Sequence, residues 1–233
     1  MKAKGLEPRL IELLDEFLDQ ILNQTKNADR MEERETTKTK ITAAFKDAGI
    51  EAQIIPDVVL ELRDLLGRES DRGCVLTAAA YLDNELAKLL QKVLIQDEKL
   101  FKELFDGTGP LATFSSRIDL AYGLGYLAPL QRRDLHLIRK IRNIFAHRTG
   151  EITFDDNEVS SRCLELYHDV FGEKLAPRKK FIRVAMGIAA PIHASMMNAN
   201  RPVKAKDIDL KDQKFKTTAE TVRKSITKEE KAK

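Results

Sequence analysis

Apolar residues recur every three or four positions along most of this chain, the spacing that gathers them on one side of an α-helix. The clearest example runs from about Gly73 to Ile95. Ser70 or Asp71 would cap the start of this helix with a side-chain oxygen. Its apolar side would carry Cys74, Leu76, Ala78, Ala79, Leu82, Leu86, Leu89, Leu90 and Val93. The pattern therefore predicts a long helix with one buried face.

The same periodicity predicts further helices on both sides of this one. Six of them are Pro8–Gln24, Ile41–Ala48, Pro56–Leu66, Asp97–Phe105, Leu111–Tyr126 and Pro129–His147. Two more follow in the chain. One runs from Asp155 or Asp156 to about Phe171, and the last, a long helix, starts at Pro177 and should be kinked or ended by Pro191. Only Glu151–Phe154 is weakly strand-like. Trp is absent and aromatic residues make up 6%, so the core must consist mainly of aliphatic side chains. The predicted fold class is all-α, a single helical bundle of about five to seven helices.

Changes in composition near both ends divide the chain into three parts. Thr25–Lys40 is rich in charge and almost free of apolar residues. Residues 1–50 are therefore interpreted as an N-terminal amphipathic helix followed by a charged extension. Residues 51–198 would form the helical domain. After Asn198 the sequence becomes Lys-rich and poor in apolar residues, so residues 199–233 are predicted to be a basic tail that is disordered or loosely helical.

Charge is distributed unevenly, although the net charge of the chain is only +3. Residues 173–233 contain sixteen Lys or Arg and seven Asp or Glu, a net charge of +9, which leaves −6 for residues 1–172. A basic tail can bind phosphates, so nucleic acid is one candidate partner. The alternative is that the charged tail only keeps the protein soluble.

Membrane association and metal chemistry find no support in the sequence. The longest apolar run, Ile182–Met197, contains charged residues and a proline and is too short to span a bilayer unaided. Met1–Asn27 carries acidic residues within its apolar stretch, unlike a secretory signal. Cys74 and Cys163 are not spaced as a zinc or redox pair. We expect a cytoplasmic protein with two reduced, buried thiols and with no metal or cofactor.

The segment Leu135–Arg148 combines apolar and unusual polar residues on one predicted helix. At about 100° per residue, two sets of side chains separate onto different arcs. The core-facing set is Leu137, Ile138, Ile141, Ile144 and Phe145. The roughly opposite set is His136, Arg139, Lys140, Asn143 and His147, and Arg142 lies at the border between the two.

This polar stripe offers groups for binding phosphate and for proton transfer. For cleavage of an RNA phosphodiester, His147 would take or give a proton. Arg142 would hold the phosphate with its planar fork, and Asn143 would orient either partner. One helix supplies only half of a two-histidine apparatus, so a homodimer would complete it across a two-fold axis. The alternative is an ordinary solvated helix face.

Further polar residues interrupt the neighbouring helices. Asp83 lies in the long helix from Gly73, and Arg117 and Asp119 lie in the next motif. These three could form a buried ion-pair network that meets Arg142, either supporting a site or only fixing helix register. His136 and Arg139 are further candidates for binding or support on the stripe itself.

Three separated runs resemble, in order, the mannitol repressor (mannitol operon regulator) family. They read ESDRGCVLTAAAYLDNEL, LFDGTGPLATFSSRIDLAYGLGYL and RDLHLIRKIRNIFAHR. The resemblance covers about residues 60–175. It implies an all-helical domain and a repressor-like transcriptional regulator that acts by binding. No convincing helix-turn-helix is present, so regulation would act through a protein partner or through the basic tail.

A second, shorter resemblance concerns catalysis. Arg142, four intervening residues and then His147 are similar to the Arg-x4-His signature of HEPN domains, with Asn143 directly after the Arg. That resemblance implies a helical, often dimeric domain. Many members are metal-independent ribonucleases that use this Arg and His at the dimer cleft, while others only bind. His147 has a structural alternative as a C-terminal cap near Gly150. Whether the protein is an enzyme stays open at this point.

Overall fold

The computed structural model describes residues 55–167, 175–207 and 212–230, together with Thr39. The helices predicted over Pro8–Gln24 and Ile41–Ala48 lie outside these residues. The described residues contain eight helices, slightly more than the five to seven expected, and no strand. The helices are α1 (Ile55–Arg68), α2 (Asp71–Val93), α3 (Glu98–Phe105), α4 (Phe114–Gly123), α5 (Pro129–His147), α6 (Asn157–Leu164), α7 (Pro177–Asn198) and α8 (Gln213–Glu230). The all-α prediction is confirmed.

Helix α2 lies at the centre of the bundle and packs against α1, α4, α5 and α7. It begins at Asp71, two residues before the predicted Gly73, and Ser70 is its cap, because the Ser70 hydroxyl accepts a hydrogen bond from the Gly73 N–H at 3.1 Å. Ala78 and Ala79 are fully buried or nearly so and leave room for close helix packing. Cys74 on α2 and Cys163 on α6 are buried and reduced, and burial raises the pKa of each thiol to about 12.

The α4–α5 hairpin is shorter at its start than the sequence predicts. Helix α4 begins only at Phe114, because the Thr113 side chain accepts from the Ser116 N–H at 3.2 Å and caps the helix there. The turn into α5 uses Gly125 at φ 81°, a conformation that favours glycine. Helix α5 then runs over the predicted residues, Pro129–His147.

The last two helices of the bundle also differ in length from their predictions. Helix α6 ends at Leu164, and residues 168–174 lie outside the described part of the chain. Helix α7 continues through Pro191 to Asn198, so of the two outcomes predicted at Pro191, a kink or an end, the end is wrong. Phe154, in the segment between α5 and α6, packs against both α5 and α7, with its ring 5.6 Å from that of Phe145 and 5.4 Å from that of Phe181.

The chain divides into two compact units, Met1–Arg201 and Pro202–Lys233. The second unit contains α8, within the tail that the sequence predicts to be disordered or loosely helical. Asp212 precedes this helix, and its carboxylate accepts from the Lys214 N–H at 2.7 Å. Among the described residues, no helix has the length and apolarity that crossing a membrane requires.

Candidate binding surface

Helix α5 presents the residues singled out by the sequence. Pro129 occupies its first position, and the Gln131 side chain accepts from the Ala128 N–H at 2.8 Å, which fixes the start of the helix. The predicted core side is buried except for Ile144, which is half-buried. We call the opposite side the α5 polar face; it consists of His136, Arg139, Lys140, Asn143 and His147, with Arg142 at its edge.

A carboxylate from α4 meets the N-terminal half of this face. Asp119 Oδ1 lies 2.7 Å from Arg132 Nη2, 2.8 Å from Arg132 Nε and 3.1 Å from His136 Nε2. The hydrogen bond from Arg132, followed by that with His136, holds the pKa of Asp119 below its usual value. The Arg132 guanidinium also lies 5.0 Å from the centroid of the Tyr122 ring. Asp119 therefore orients the side chains of Arg132 and His136 at the surface.

The C-terminal half of the α5 polar face has a different character. Arg142 Nη1 donates to Asn143 Oδ1 at 3.2 Å, and both side chains are half-buried. Lys140 and His147 are exposed. Arg139 Nε is buried and makes no hydrogen bond with any residue in the described ranges. This half therefore presents cations and an amide toward solvent.

Asp83 on α2 and Arg117 on α4 form a separate ion pair. Arg117 Nη1 lies 2.8 Å from Asp83 Oδ1, and Arg117 Nε donates to the Leu111 carbonyl at 2.8 Å. The guanidinium also stacks 5.6 Å from the centroid of the Phe105 ring. Within the part of the chain that the structure describes, this pair and the Asp119 cluster are distinct, and neither contacts Arg142. Asp83 and Arg117 hold α2, α4 and the loop before α4 together.

Arg72 is a contributor that the sequence reasoning did not identify. Its guanidinium donates to the carbonyl oxygens of Phe145, Arg148 (2.9 Å) and Gly150 (2.7 Å) at the end of α5. These carbonyls lack helical partners, so a cation placed there stabilises the helix end. Arg72, rather than His147, occupies this position, which leaves the His147 side chain exposed.

A second feature missed from the sequence is a polar cluster between α2 and α7. His193 Nε2 lies 2.9 Å from Glu85 Oε2 and 3.0 Å from the Tyr81 hydroxyl, and Lys88 Nζ lies 2.7 Å from Glu85 Oε1. Burial lowers the pKa of His193, an effect that Glu85 opposes and Lys88 reinforces. Burial, with the nearby Glu85 and Glu61 carboxylates, raises the pKa of Tyr81 to about 12. We call Tyr81, Glu85, Lys88 and His193 the α2–α7 cluster.

Metal binding gains no support from the described side chains, which include no group of three or more His, Cys, Asp or Glu arranged to hold an ion. The α5 polar face itself carries cations, an amide and imidazoles. Such groups bind anionic or hydrogen-bonding partners directly.

Comparison with known proteins gives consistent results. A sequence-family model described as the mannitol repressor matches residues 57–177. Over 100 residues the chain is 31% identical to the mannitol operon repressor of Escherichia coli strain K12, an alignment that covers 41% of this chain and 51% of that protein. The corresponding protein of Escherichia coli O6:H1 gives the same values. The chain thus spans about half the length of the curated relatives it matches.

Among solved structures, the chain resembles one in the X-ray structure of the MtlR–HPr complex from Escherichia coli. The TM-score is 0.48 at 23% sequence identity, and the alignment covers 58% of this chain and 98% of that chain.

Proposed function

The chain belongs to the mannitol repressor family, and we propose that it regulates transcription of a sugar-alcohol operon by binding other macromolecules. The observation that carries the proposal is the family match over residues 57–177, which includes the whole of α5 and its polar face. The curated relatives are mannitol operon repressors, so the mannitol operon is the proposed target.

The surface chemistry supports binding by the α5 polar face together with the hairpin that precedes it. Tyr122, Leu124 and Leu130 at the hairpin turn are 37%, 46% and 38% exposed. Apolar side chains beside cations are typical of protein–protein contacts, where aromatic residues and Arg are enriched. We propose that this surface contacts a protein partner in regulation and that the protein functions as a homodimer.

Genetics tests the regulatory proposal most directly. In the organism that encodes this chain, its gene is deleted and mannitol-operon transcripts are measured without mannitol. We expect the transcripts to rise severalfold and to return to the wild-type level when the gene is restored. Restoration with Lys140→Glu, which reverses an exposed charge on the α5 polar face, should leave them high.

The matched control is Lys102→Glu, the same charge reversal at an exposed position of α3. This variant should repress as well as the wild type. Transcripts that stay unchanged after deletion would contradict the regulatory proposal. Equal repression by both charge variants would instead exclude the α5 polar face as the binding surface.

A second candidate function is a HEPN-type, metal-independent ribonuclease. It is favoured by the hydrogen bond between Arg142 and Asn143 and by the exposure of His147 on the same helix. The purified chain and its His147→Ala variant are incubated with single-stranded RNA in EDTA. Cleavage by the wild type that the variant loses would support the enzyme. If the two proteins cleave equally, or if neither cleaves, the candidate is rejected.

A further inference from the structure

Helix α5 carries far more positive than negative charge. Its residues include five Arg or Lys and two His, and its one acidic residue is Asp134. The Asp134 side chain is fully buried, and its carboxylate accepts from the Tyr167 N–H at 3.1 Å. The charge that α5 itself exposes to a partner is therefore entirely positive.

Three carboxylates beside α5 are engaged at the two ends of the helix. At one end, Asp119 lies 2.7 Å from Arg132 Nη2. At the other end, Asp156 and Glu158 lie 3.1 Å and 3.6 Å from the two Nη atoms of Arg148. These carboxylates already have cationic partners, so they do not compensate the charges that lie between the two ends.

Three cations between these ends form no ion pair with any residue that the structure describes. They are Arg139, Lys140 and Arg142. Arg139 Nε is buried without a hydrogen bond to the described residues, and Lys140 is exposed. Arg142 Nη1 donates only to the neutral side chain of Asn143. We call Arg139, Lys140 and Arg142 the α5 cation group. A partner that covers this half of the α5 polar face meets an uncompensated positive charge.

An aromatic ring lies at the other end of the same face. Tyr122 is 37% exposed, with the Arg132 guanidinium 5.0 Å from its ring centroid, and Leu124 is 46% exposed. Ten residues separate Arg132 from Arg142, which is about 15 Å along the helix axis. A protein interface of ordinary size covers about 800 Å² on each partner, a patch roughly 30 Å across. One partner can therefore cover the ring and the α5 cation group together.

From this arrangement we infer that the partner of the α5 polar face is an acidic protein segment with an apolar side chain beside its carboxylates. The carboxylates would pair with the α5 cation group, and the apolar side chain would pack at Tyr122 and Leu124. Asp119 would oppose binding, because it is an exposed carboxylate at the same face. The inference rests on the proposed function, which makes this face the site of a protein contact, and adds the chemistry of the partner.

Three other occupants fit the same residues less well. Nucleic acid would pair its phosphates with the cations but would leave Tyr122 and Leu124 uncovered. A lipid surface needs an exposed apolar side of a helix, whereas the apolar side of α5 is packed in the core. A second copy would bring the carboxylate of Asp119, which is already paired, against three cations.

The test uses the purified full chain and a fluorescein-labelled random copolymer of glutamate and tyrosine, rich in glutamate, as the probe. Binding is followed by fluorescence anisotropy. We expect saturable binding, and weaker binding of polyglutamate, which has no aromatic side chain. Lys140→Glu should weaken binding of the copolymer by about fivefold or more, since repulsion replaces an attraction. Asp119→Asn should instead tighten it by about twofold or more, because it removes the opposing carboxylate.

Two variants serve as matched controls, because each reverses one exposed charge as Lys140→Glu does. Lys102→Glu lies on α3, and Lys216→Glu lies on α8 in the basic tail. Both should leave the affinity within about twofold of the wild type. Circular dichroism and the melting temperature establish that each variant is folded. If Lys140→Glu lowers the melting temperature, Asp119→Asn decides the result.

The inference is overturned if the copolymer does not bind, or if either control weakens binding as much as Lys140→Glu does. It is also overturned if Asp119→Asn and Lys140→Glu change the affinity in the same direction. Polyuridylate that binds more tightly than the copolymer and is lost in Lys140→Glu would indicate nucleic acid. Self-association in sedimentation equilibrium that Lys140→Glu abolishes would indicate a second copy.

Failure of this inference differs from failure of the proposed function. If deletion of the gene raises the transcripts but the copolymer does not respond to Lys140→Glu, only the acidic partner is rejected. If the transcripts do not change but the copolymer binds as expected, the regulatory role is rejected and the chemistry of the surface stands.

Discussion

Two polar clusters of the bundle use the same kinds of side chain in opposite surroundings. The Asp119 cluster joins a carboxylate, an Arg and a His at the surface, where the Asp119 side chain is 47% exposed. The α2–α7 cluster joins a carboxylate, a Lys, a His and a Tyr around Glu85, whose side chain is 3% exposed. Water screens the first cluster and is largely excluded from the second. The first can therefore exchange its contacts for those of a partner, whereas the second belongs to the structure of the fold.

Glu85→Ala should show this difference most strongly. It removes a buried carboxylate that faces His193, Lys88 and Tyr81 and leaves their polar atoms without that partner. Losing a buried, charged hydrogen-bond partner in this way costs about 3 kcal/mol of unfolding free energy. Urea unfolding measures the loss, with Glu103→Ala on the exposed surface of α3 as the control. A loss no greater than that of the control would contradict the structural role of the cluster.

Arg117 tests a case of intermediate burial. Arg117→Ala removes the hydrogen bonds to Asp83 and to the Leu111 carbonyl, together with the stacking on Phe105. We expect a loss of about 2 kcal/mol, because the bonds are charge-assisted and half-buried. Arg117→Lys keeps the charge but not the planar guanidinium, so its urea midpoint should fall between those of the wild type and Arg117→Ala. If Lys restores full stability, charge rather than geometry is the important property.

The sequence was sufficient for features that depend on local spacing. Helix α5 was predicted residue for residue, because Pro129 marks its start and the apolar residues keep a regular period to Phe145. The division of α5 into a core side and a polar face follows from the same period. Helix α4 was predicted too long, since the cap formed by Thr113 competes with a pattern that also fits a longer helix.

Contacts between residues distant in the chain were beyond this reasoning. Tyr81 and His193 are 112 positions apart, and Arg72 reaches carbonyls 73 to 78 positions away. No local period relates such residues, and their meeting depends on how the helices pack. The predicted network of Asp83, Arg117 and Asp119 resolved into two clusters for the same reason.

His193 should give the α2–α7 cluster a signature in the pH dependence of stability. Its pKa is lowered in the folded protein, so the unfolded chain binds the proton more readily. Stability is therefore complete above the unfolded value of about 6.5 and falls as the pH drops from there toward the folded pKa. His193→Gln should flatten the decline of the melting temperature between pH 7.5 and 5.5. An unchanged slope would show that His193 does not titrate in this way.

Asp119→Asn should have the smallest effect on stability. The substitution keeps the shape of the side chain and removes its charge from Arg132 and His136, an exposed arrangement in which ion pairs contribute less than about 1 kcal/mol. Because the pKa of Asp119 is lowered, the contribution of its charge is present above the ordinary value and is lost as the pH falls through the folded pKa. The variant should therefore leave the slope of melting temperature against pH between 7.5 and 5.5 unchanged.

Calorimetry of Asp119→Asn should show a small drop in melting temperature that disappears in about 0.5 M salt, where exposed charges are screened. A loss as large as that of Glu85→Ala, or one that salt does not reduce, would mean that the surface cluster is structural like the buried one.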